Sequence, residues 1–123
     1  MLFRSKRGLK LFQEHPSAFY SCAVTEYGYP IQRALQKDSQ GILSMIHPEF
    51  LETRSQDLET SFHDVGMFYF ASAETWKLNR SMLLNAVGVL IERWKAQDLD
   101  TEEDWARLEI IRAIIDHQVN PVA

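Results

Sequence analysis

This sequence contains one cysteine and has no long apolar run. Cys22 has no second cysteine for an internal disulfide, and its apolar surroundings indicate a buried thiol in a reducing compartment. No run of about 18 apolar residues occurs, which argues against a membrane-spanning helix. No apolar segment typical of a signal peptide follows the basic start. We therefore expect a cytoplasmic protein that does not associate with membranes.

The sequence also lacks an excess of positive charge. Its formal net charge is −4 and its pI is about 5.5, which argues against a nucleic-acid partner. The first ten residues are the exception, because they hold four of the thirteen basic residues. No two histidines have a metal-binding spacing such as His-x-x-x-His.

The 123 residues suit one domain, and 46% of them are hydrophobic, which is enough for a core. Apolar patterning predicts an α/β chain with a mixed sheet. Residues 31–38 are compatible with a helix or a strand, and their alternation favours a strand. The predicted elements are a helix in 7–16, a strand in 17–26, a hairpin in 31–38 and 42–48, a polar loop in 49–66, a strand in 67–72, a helix in 73–80, a strand in 86–94 and a helix in 101–119.

Three residues are expected to mark the ends or turns of these elements. Gly41 suits a positive φ in the hairpin turn, because glycine has no Cβ to clash there. Ser72 suits the N-cap of the helix in 73–80, and Pro121 is expected to end the last helix.

Five carboxylates crowd the segment QDLDTEEDW, residues 97–105. Thr101 with Asp104 three residues later resembles a capping box in which aspartate replaces the usual glutamate or glutamine. Acids in the first helical turn also complement the helix dipole, so Glu102, Glu103 and Asp104 need no other explanation. We expect Trp105 to anchor this helix in the core.

Asp98 and Asp100 precede that helix, at the exit of the apolar strand. Strand alternation would place their two side chains on one face, where like charges repel and a cation would relieve the repulsion. Mg²⁺ commonly takes one or two carboxylates together with substrate phosphates. Asp-x-Asp is nevertheless a common pattern, and Asp100 equally suits a helix cap. Spacing alone therefore leaves both interpretations open.

Five segments occur together in the order found in a known enzyme family. They are YGYPIQRAL (27–35), HPEF (47–50), TRSQDLE (53–59), FHDVGMFYF (62–70) and QDLDTEEDW (97–105). Each is modest by itself, but together they resemble the acylneuraminate cytidylyltransferases, or CMP-sugar synthetases, over about residues 11–116. The similarity is greatest to the C-terminal half of the branch that uses pseudaminic acid.

The resemblance implies the C-terminal half of a Rossmann-like nucleotidyltransferase with a mixed sheet, flanking helices and a protruding dimerisation hairpin. It divides the chain into a basic start outside the family (1–10) and a family part (11–123). Within the latter, residues 25–66 correspond to the dimerisation and sugar-contact element. The implied reaction joins CTP to a nine-carbon acidic sugar, with Mg²⁺ neutralising the charge that develops as pyrophosphate leaves.

The resemblance also assigns roles to individual residues. Asp98 and Asp100 correspond to the Mg²⁺ ligands. Arg54 corresponds to an arginine that meets the sugar carboxylate in the partner's active site, and a planar guanidinium suits that task. Without the resemblance, a solvated loop arginine would be the better interpretation. The other expected sugar-binding residues are Gln32, Arg33, His63, Asp64 and Tyr69. An exposed hairpin face is the alternative for Gln32 and Arg33, and core packing is the alternative for Tyr69.

Two departures from the family pattern limit these expectations. Val65 stands where the sialic acid branch has asparagine, which favours pseudaminic acid over sialic acid. No strand followed by an Arg/Gly/Ser/Lys-rich loop precedes residue 11, although such a loop holds CTP in the family. FRSKRG, residues 3–8, resembles it only faintly. We therefore expect a truncated chain without CTP binding or turnover of its own; the alternative is a catalytically inactive homodimerisation module.

Overall fold

The computed structural model describes residues 2–78 and 81–119. The chain is α/β, with a mixed sheet and flanking helices, as the patterning predicts. It divides into two compact units, one formed by Met1–Thr25 with Asp64–Ala123 and the other by Glu26–His63. The helices and strands are α1 (Leu2–Glu14), β1 (Tyr20–Glu26), β2 (Leu35–Lys37), β3 (Leu43–Met45), β4 (Phe62–Ala71), α2 (Ala73–Lys77), β5 (Ala86–Leu90) and α3 (Glu102–Val119).

The central strand of the three-stranded sheet is β1, which lies between β4 and β5. Strands β1 and β5 run parallel, with Tyr20 opposite Ala86 and Val24 opposite Leu90. Four consecutive β1 residues, from Tyr20 to Ala23, are at most 2% exposed. The predicted apolar strand and the predicted buried thiol of Cys22 are both confirmed.

The core lies where α1 covers this sheet. Ala23, Val89 and Ile91 are buried together, and Leu11 of α1 and Phe68 of β4 pack against them. Gly8 of α1 is also buried, and a Cβ at this position would lie 2.3 Å from the Phe68 ring. Glycine therefore permits a close approach between helix and strand that any larger residue would obstruct.

The second unit contains a β-hairpin, as predicted. Strands β2 and β3 pair antiparallel, with Leu35 opposite Met45 and Lys37 opposite Leu43. Gly41 has φ +89°, which glycine adopts without steric cost. The Asp38 carboxylate accepts hydrogen bonds from the backbone N–H groups of Gln40 and Ile42, both at 2.9 Å. The turn is thus held by its own side chain.

The first predicted hairpin strand begins later than expected. Ile31–Arg33 form a single 3-10 turn, and the strand that follows is only three residues long. The alternation of Ile31, Arg33 and Leu35 is therefore not a strand pattern. Pro30 precedes this turn with φ −57°, a value compatible with the entry to a helical turn.

Other predicted element boundaries are also wrong. The first helix, predicted over 7–16, begins at Leu2 and ends at Glu14. The polar loop does not reach Gly66, because β4 begins at Phe62 and continues through Gly66 at φ +64°. The Asp64 carboxylate accepts the Gly66 N–H at 3.0 Å, and this local irregularity hides the strand pattern in the sequence. Strand β5 ends at Leu90, and a 3-10 turn at Arg93–Lys95 separates it from the acidic segment.

The last helix is confirmed, but its predicted core anchor is wrong. Trp105 is 57% exposed, whereas Leu108, Ile111 and Ile115 on the predicted stripe are half-buried. The first turn of α3 is fixed by polar capping contacts, so it does not need a buried aromatic ring. The expected stop at Pro121 lies outside the described residues.

Candidate functional site

The carboxylate of Asp104 organises the start of α3. Its Oδ2 accepts the Thr101 hydroxyl at 2.7 Å and the Thr101 backbone N–H at 3.0 Å. The Thr101 hydroxyl oxygen in turn accepts the Asp104 N–H at 3.2 Å. This reciprocal pair is the predicted capping box, completed with aspartate.

The same carboxylate also holds the preceding segment. Its Oδ1 accepts a hydrogen bond from Gln97 Nε2 at 2.9 Å, and its Oδ2 accepts the Asp100 N–H at 3.3 Å. The pKa of Asp104 is lowered, chiefly by the Thr101 hydroxyl and then by the backbone N–H groups of Thr101 and Asp100. Asp104 is therefore occupied by structural hydrogen bonds.

Asp98 and Asp100 have fewer contacts. Asp98 Oδ1 accepts the Leu99 N–H at 3.0 Å, and in the described part of the chain the Asp100 carboxylate accepts no hydrogen bond. Both side chains are exposed. They lie in an irregular segment after the 3-10 turn, so strand alternation does not place them on a common face. Their proposed pairing depends on the loop between Ala96 and Thr101.

The donor set of this loop fits a hard divalent cation that brings some of its own ligands. Two exposed carboxylates, Asp98 and Asp100, are available in three consecutive residues. Among residues 2–78 and 81–119, no three His, Cys, Asp or Glu side chains form a cluster suited to a metal ion. Mg²⁺ does not need such a cluster, because it commonly takes one or two carboxylates plus substrate phosphates.

Gln32 and Arg33 follow Pro30 in the 3-10 turn of the second unit. Gln32 Nε2 donates to the Glu59 carbonyl at 3.2 Å, while its Oε1 is buried and has no partner among the described residues. Arg33 Nη2 donates to the Thr53 carbonyl at 2.5 Å. Both predicted sugar-binding residues thus hold the segment 53–59 through its backbone.

Arg54 lies at the start of another 3-10 turn, Ser55–Asp57, in that segment. Its side chain is exposed, and its carbonyl accepts the Asp57 N–H at 3.0 Å. Within the described ranges, the guanidinium makes no ion pair or hydrogen bond. The backbone is held by its neighbours while the charged group remains available to a ligand.

The remaining predicted sugar-binding residues lie along β4. The His63 ring contacts that of Tyr27, with centroids 4.8 Å apart. The Tyr69 hydroxyl donates a hydrogen bond to Asp64 Oδ2, and this bond is the main cause that raises the pKa of Tyr69 to about 12. Burial, followed by the charge of Asp64, raises the pKa of the Cys22 thiol.

The predicted residues fall into both units. Asp64, Tyr69, Asp98 and Asp100 belong to the first, whereas Gln32, Arg33, Arg54 and His63 belong to the second. Of the predicted sugar-binding residues, the structure joins Asp64 and Tyr69 by a direct side-chain bond. Gln97 was not among the predicted site residues. Its Nε2 donates hydrogen bonds to the Asp98 carbonyl and to Asp104 Oδ1, both at 2.9 Å. A polar amide directly before Asp-x-Asp and seven residues before Asp104 was the only sequence signal for this role.

Comparison with known proteins supports the family resemblance. The chain is 37% identical over 71 residues to pseudaminic acid cytidylyltransferase from Campylobacter jejuni subsp. jejuni serotype O:2. This chain is similar to part of a cytidylyltransferase. The match covers 58% of this chain and 30% of that protein, with the same values for the enzyme of serotype O:23/36. No family model matches the chain.

The predicted resemblance is thereby confirmed as a relationship to part of that enzyme. The aligned region spans less than a third of the length of these curated relatives, as the 30% coverage shows. No helix among the described residues is long and apolar enough to cross a membrane.

Proposed function

We propose that this chain is the sugar-binding and dimerising part of a cytidylyltransferase that forms a CMP-activated nonulosonic acid. It would correspond to the C-terminal half of a Rossmann-like fold, acting in the cytoplasm on CTP and a nine-carbon acidic sugar, with pseudaminic acid as the preferred substrate. The observation that carries this proposal is the 37% identity over 71 residues to pseudaminic acid cytidylyltransferase.

The availability of Asp98 and Asp100 supports the magnesium part of the proposal. The Asp104 carboxylate receives four hydrogen bonds, whereas Asp98 receives one and Asp100 none in the described chain. Asp98 and Asp100 would hold Mg²⁺, which when bound would neutralise charge on the phosphates. Gln97 and Asp104 would position the loop that carries them.

The second unit supports the sugar-binding part. A carboxylate-bearing sugar needs a cation, and the exposed guanidinium of Arg54 supplies a planar fork for two parallel hydrogen bonds. Gln32 and Arg33 would position Arg54 through their bonds to the backbone of the same segment. In the proposed homodimer, Arg54 would act on the sugar held by the other protomer.

Magnesium binding is tested by calorimetric titration of the chain and of matched amide variants. Asp98→Asn and Asp100→Asn should each weaken Mg²⁺ binding about tenfold or more, since each removes a charged ligand. Glu102→Gln is the control, because it removes an exposed charge from the neighbouring helix turn. Equal affinities in all three variants would contradict the assignment.

Sugar binding is tested with pseudaminic, legionaminic and sialic acids. Arg54→Gln should weaken binding of the preferred acid about tenfold or more, because the carboxylate loses a charge-assisted bidentate contact. Arg107→Gln is the control, since Arg107 pairs with Glu103 on α3 at 3.0 Å. Equal affinity for the three acids, or no effect of Arg54→Gln, would refute the sugar assignment.

A catalytically inactive homodimerisation module is the second candidate function. The hairpin unit favours it, because Leu35, Leu43 and Ile46 are 53%, 57% and 49% exposed. Exposed apolar groups of this kind suit burial against a second copy. Pyrophosphate release from CTP, Mg²⁺ and pseudaminic acid separates the candidates. We expect no release from these 123 residues alone; release that Asp98→Asn abolishes would instead show a self-sufficient enzyme.

Homodimerisation itself is tested by mass in solution. We expect a dimer at micromolar concentration, and Leu35→Glu with Leu43→Glu should shift it toward monomer. Lys10→Glu on α1 is a control that adds charge outside the hairpin. A wild-type chain that is monomeric at this concentration would contradict the homodimer that both candidate functions assume.

A further inference from the structure

A cavity of about 190 Å³ lies in the first unit, between the beginning of α1 and the segment that leaves β5. From α1 it is lined by Phe3, Arg4 and Arg7, and from the other side by residues 89–92 and Lys95. These residues lie outside every motif that carries the family resemblance, and none has a role in the proposed function.

The charge around this cavity is unbalanced. Three cations line it, Arg4, Arg7 and Lys95, against the single carboxylate of Glu92. Glu92 forms an ion pair with Lys95 and also interacts electrostatically with Arg4, so one carboxylate faces three cations. The wall therefore has a formal charge of +2 (three cations less one carboxylate), in a chain whose net charge is −4.

The two arginines are weakly engaged by the protein. Arg4 Nη1 lies 3.6 Å from the Met67 sulfur, and a thioether is a poor acceptor. Within the described ranges, Arg7 makes no ion pair or hydrogen bond. Arg7 is exposed, which leaves its five donors available to a ligand that enters the cavity.

The location of the cavity also favours an anion. Like charges that line one cavity repel each other, and a bound anion would offset this repulsion. The segment from Val89 onward is the carboxyl end of β5, which runs parallel to β1; ligands gather at such ends in α/β sheets.

The size of the cavity limits the ligand. Sites for drug-sized molecules occupy roughly 300–1,000 Å³, and this cavity of about 190 Å³ is smaller. Its volume suits one or two phosphate groups and is too small to enclose a whole nucleotide. The buried side chains of Val89 and Ile91 form the apolar part of the wall.

We propose that Arg4 and Arg7, with Lys95, bind a small phosphate-class anion such as inorganic phosphate or pyrophosphate. The guanidinium forks would engage the anion's oxygens, and Lys95 would add charge while remaining paired with Glu92. This proposal does not rest on the proposed function, because it uses neither the Asp98 and Asp100 loop nor the second unit.

Calorimetric titration with inorganic phosphate and with pyrophosphate tests the site. The solutions contain a chelator and no divalent cation, so the result does not depend on the magnesium proposal. We expect saturable binding, weakened roughly ten- to a hundredfold in Arg7→Gln, because a charge-assisted hydrogen bond is lost. Arg4→Gln should behave in the same way. Lys10→Gln is the matched control on α1, since Lys10 pairs with Glu14 at 3.6 Å.

Three outcomes would overturn the proposal. The first is the lack of saturable binding at millimolar anion, and the second is equal weakening by Lys10→Gln and Arg7→Gln, which would indicate general charge attraction. The third is CTP binding more than tenfold tighter than pyrophosphate through the same arginines, which would contradict the small-anion assignment. Far-ultraviolet circular dichroism of each variant confirms that the fold is retained.

Discussion

The close approach of Gly8 to Phe68 predicts an unusual response to a small substitution. Glycine inside a helix costs about 1 kcal/mol relative to alanine, so Gly8→Ala would stabilise α1 if only helix propensity mattered. The added Cβ, however, would lie 2.3 Å from Phe68 Cε2 and 2.7 Å from Cζ. Ordinary carbon contacts begin near 3.5 Å, so the ring or the helix must move by about 1 Å.

Moving a packed ring by this amount costs typically about 1–3 kcal/mol. The gain in helix propensity of about 1 kcal/mol offsets part of this cost. We therefore expect Gly8→Ala to lower the free energy of unfolding by roughly 0–2 kcal/mol. In a Phe68→Ala background the obstacle is absent. The same Gly8→Ala change should then raise the free energy of unfolding by about 1 kcal/mol. The Phe68 ring thus decides whether Gly8→Ala stabilises or destabilises the chain.

A double-mutant cycle measured by urea unfolding provides the test. The four proteins are wild type, Gly8→Ala, Phe68→Ala and the double variant, followed by far-ultraviolet circular dichroism. Gln13→Gly and Gln13→Ala at an exposed position of α1 calibrate the local helix propensity. Equal stabilisation by Gly8→Ala in both backgrounds would refute the close approach, since the interaction energy would be zero.

Two further predictions concern α3 and β4. Thr101→Ala should destabilise the chain by about 0.5–2 kcal/mol in urea unfolding, because it removes the N-cap of α3; Thr101→Ser should retain most of the stability, and equal losses would contradict the capping role. The pKa of Tyr69 is raised to about 12, so its tyrosinate absorbance should develop well above the ordinary tyrosine value near 10. Its contribution to stability is complete below the unfolded value near 10 and is lost as pH rises through about 12. Asp64→Asn should lower the pKa of Tyr69 toward 10; a wild-type Tyr69 that already titrates near 10 would contradict the hydrogen bond.

The order of helices and strands followed from the sequence wherever local chemistry and tertiary packing favour the same structure. The apolar run around Cys22 became the buried central strand. Ser72 caps α2, with its hydroxyl accepting the Thr75 N–H at 3.1 Å, and Thr101 caps α3. Each of these features depends on neighbours within a few residues, which the sequence displays directly.

Features that depend on distant contacts could not be predicted. Strand β5 ends at Leu90, and the carbonyl of the next residue, Ile91, accepts a hydrogen bond from the distant Thr25 hydroxyl at 2.7 Å. Trp105 is exposed although it lies on the predicted apolar stripe, because burial depends on which distant elements pack against that face. For the candidate site, the sequence already separated the capping Asp104 from Asp98 and Asp100, but the bonds of Asp104 to Gln97 and to the Asp100 N–H were visible only in the structure.

The hydrogen bonds of Asp104 have a thermodynamic consequence for the loop before α3. Gln97 and the Asp100 N–H both bond to a carboxylate that belongs to the helix, so forming the first helical turn also restricts the loop. Much of the conformational entropy of residues 97–100 is then lost during folding and need not be lost when a ligand binds. An ion that meets Asp98 and Asp100 would encounter a preorganised loop, and its affinity would fall whenever the beginning of α3 frays.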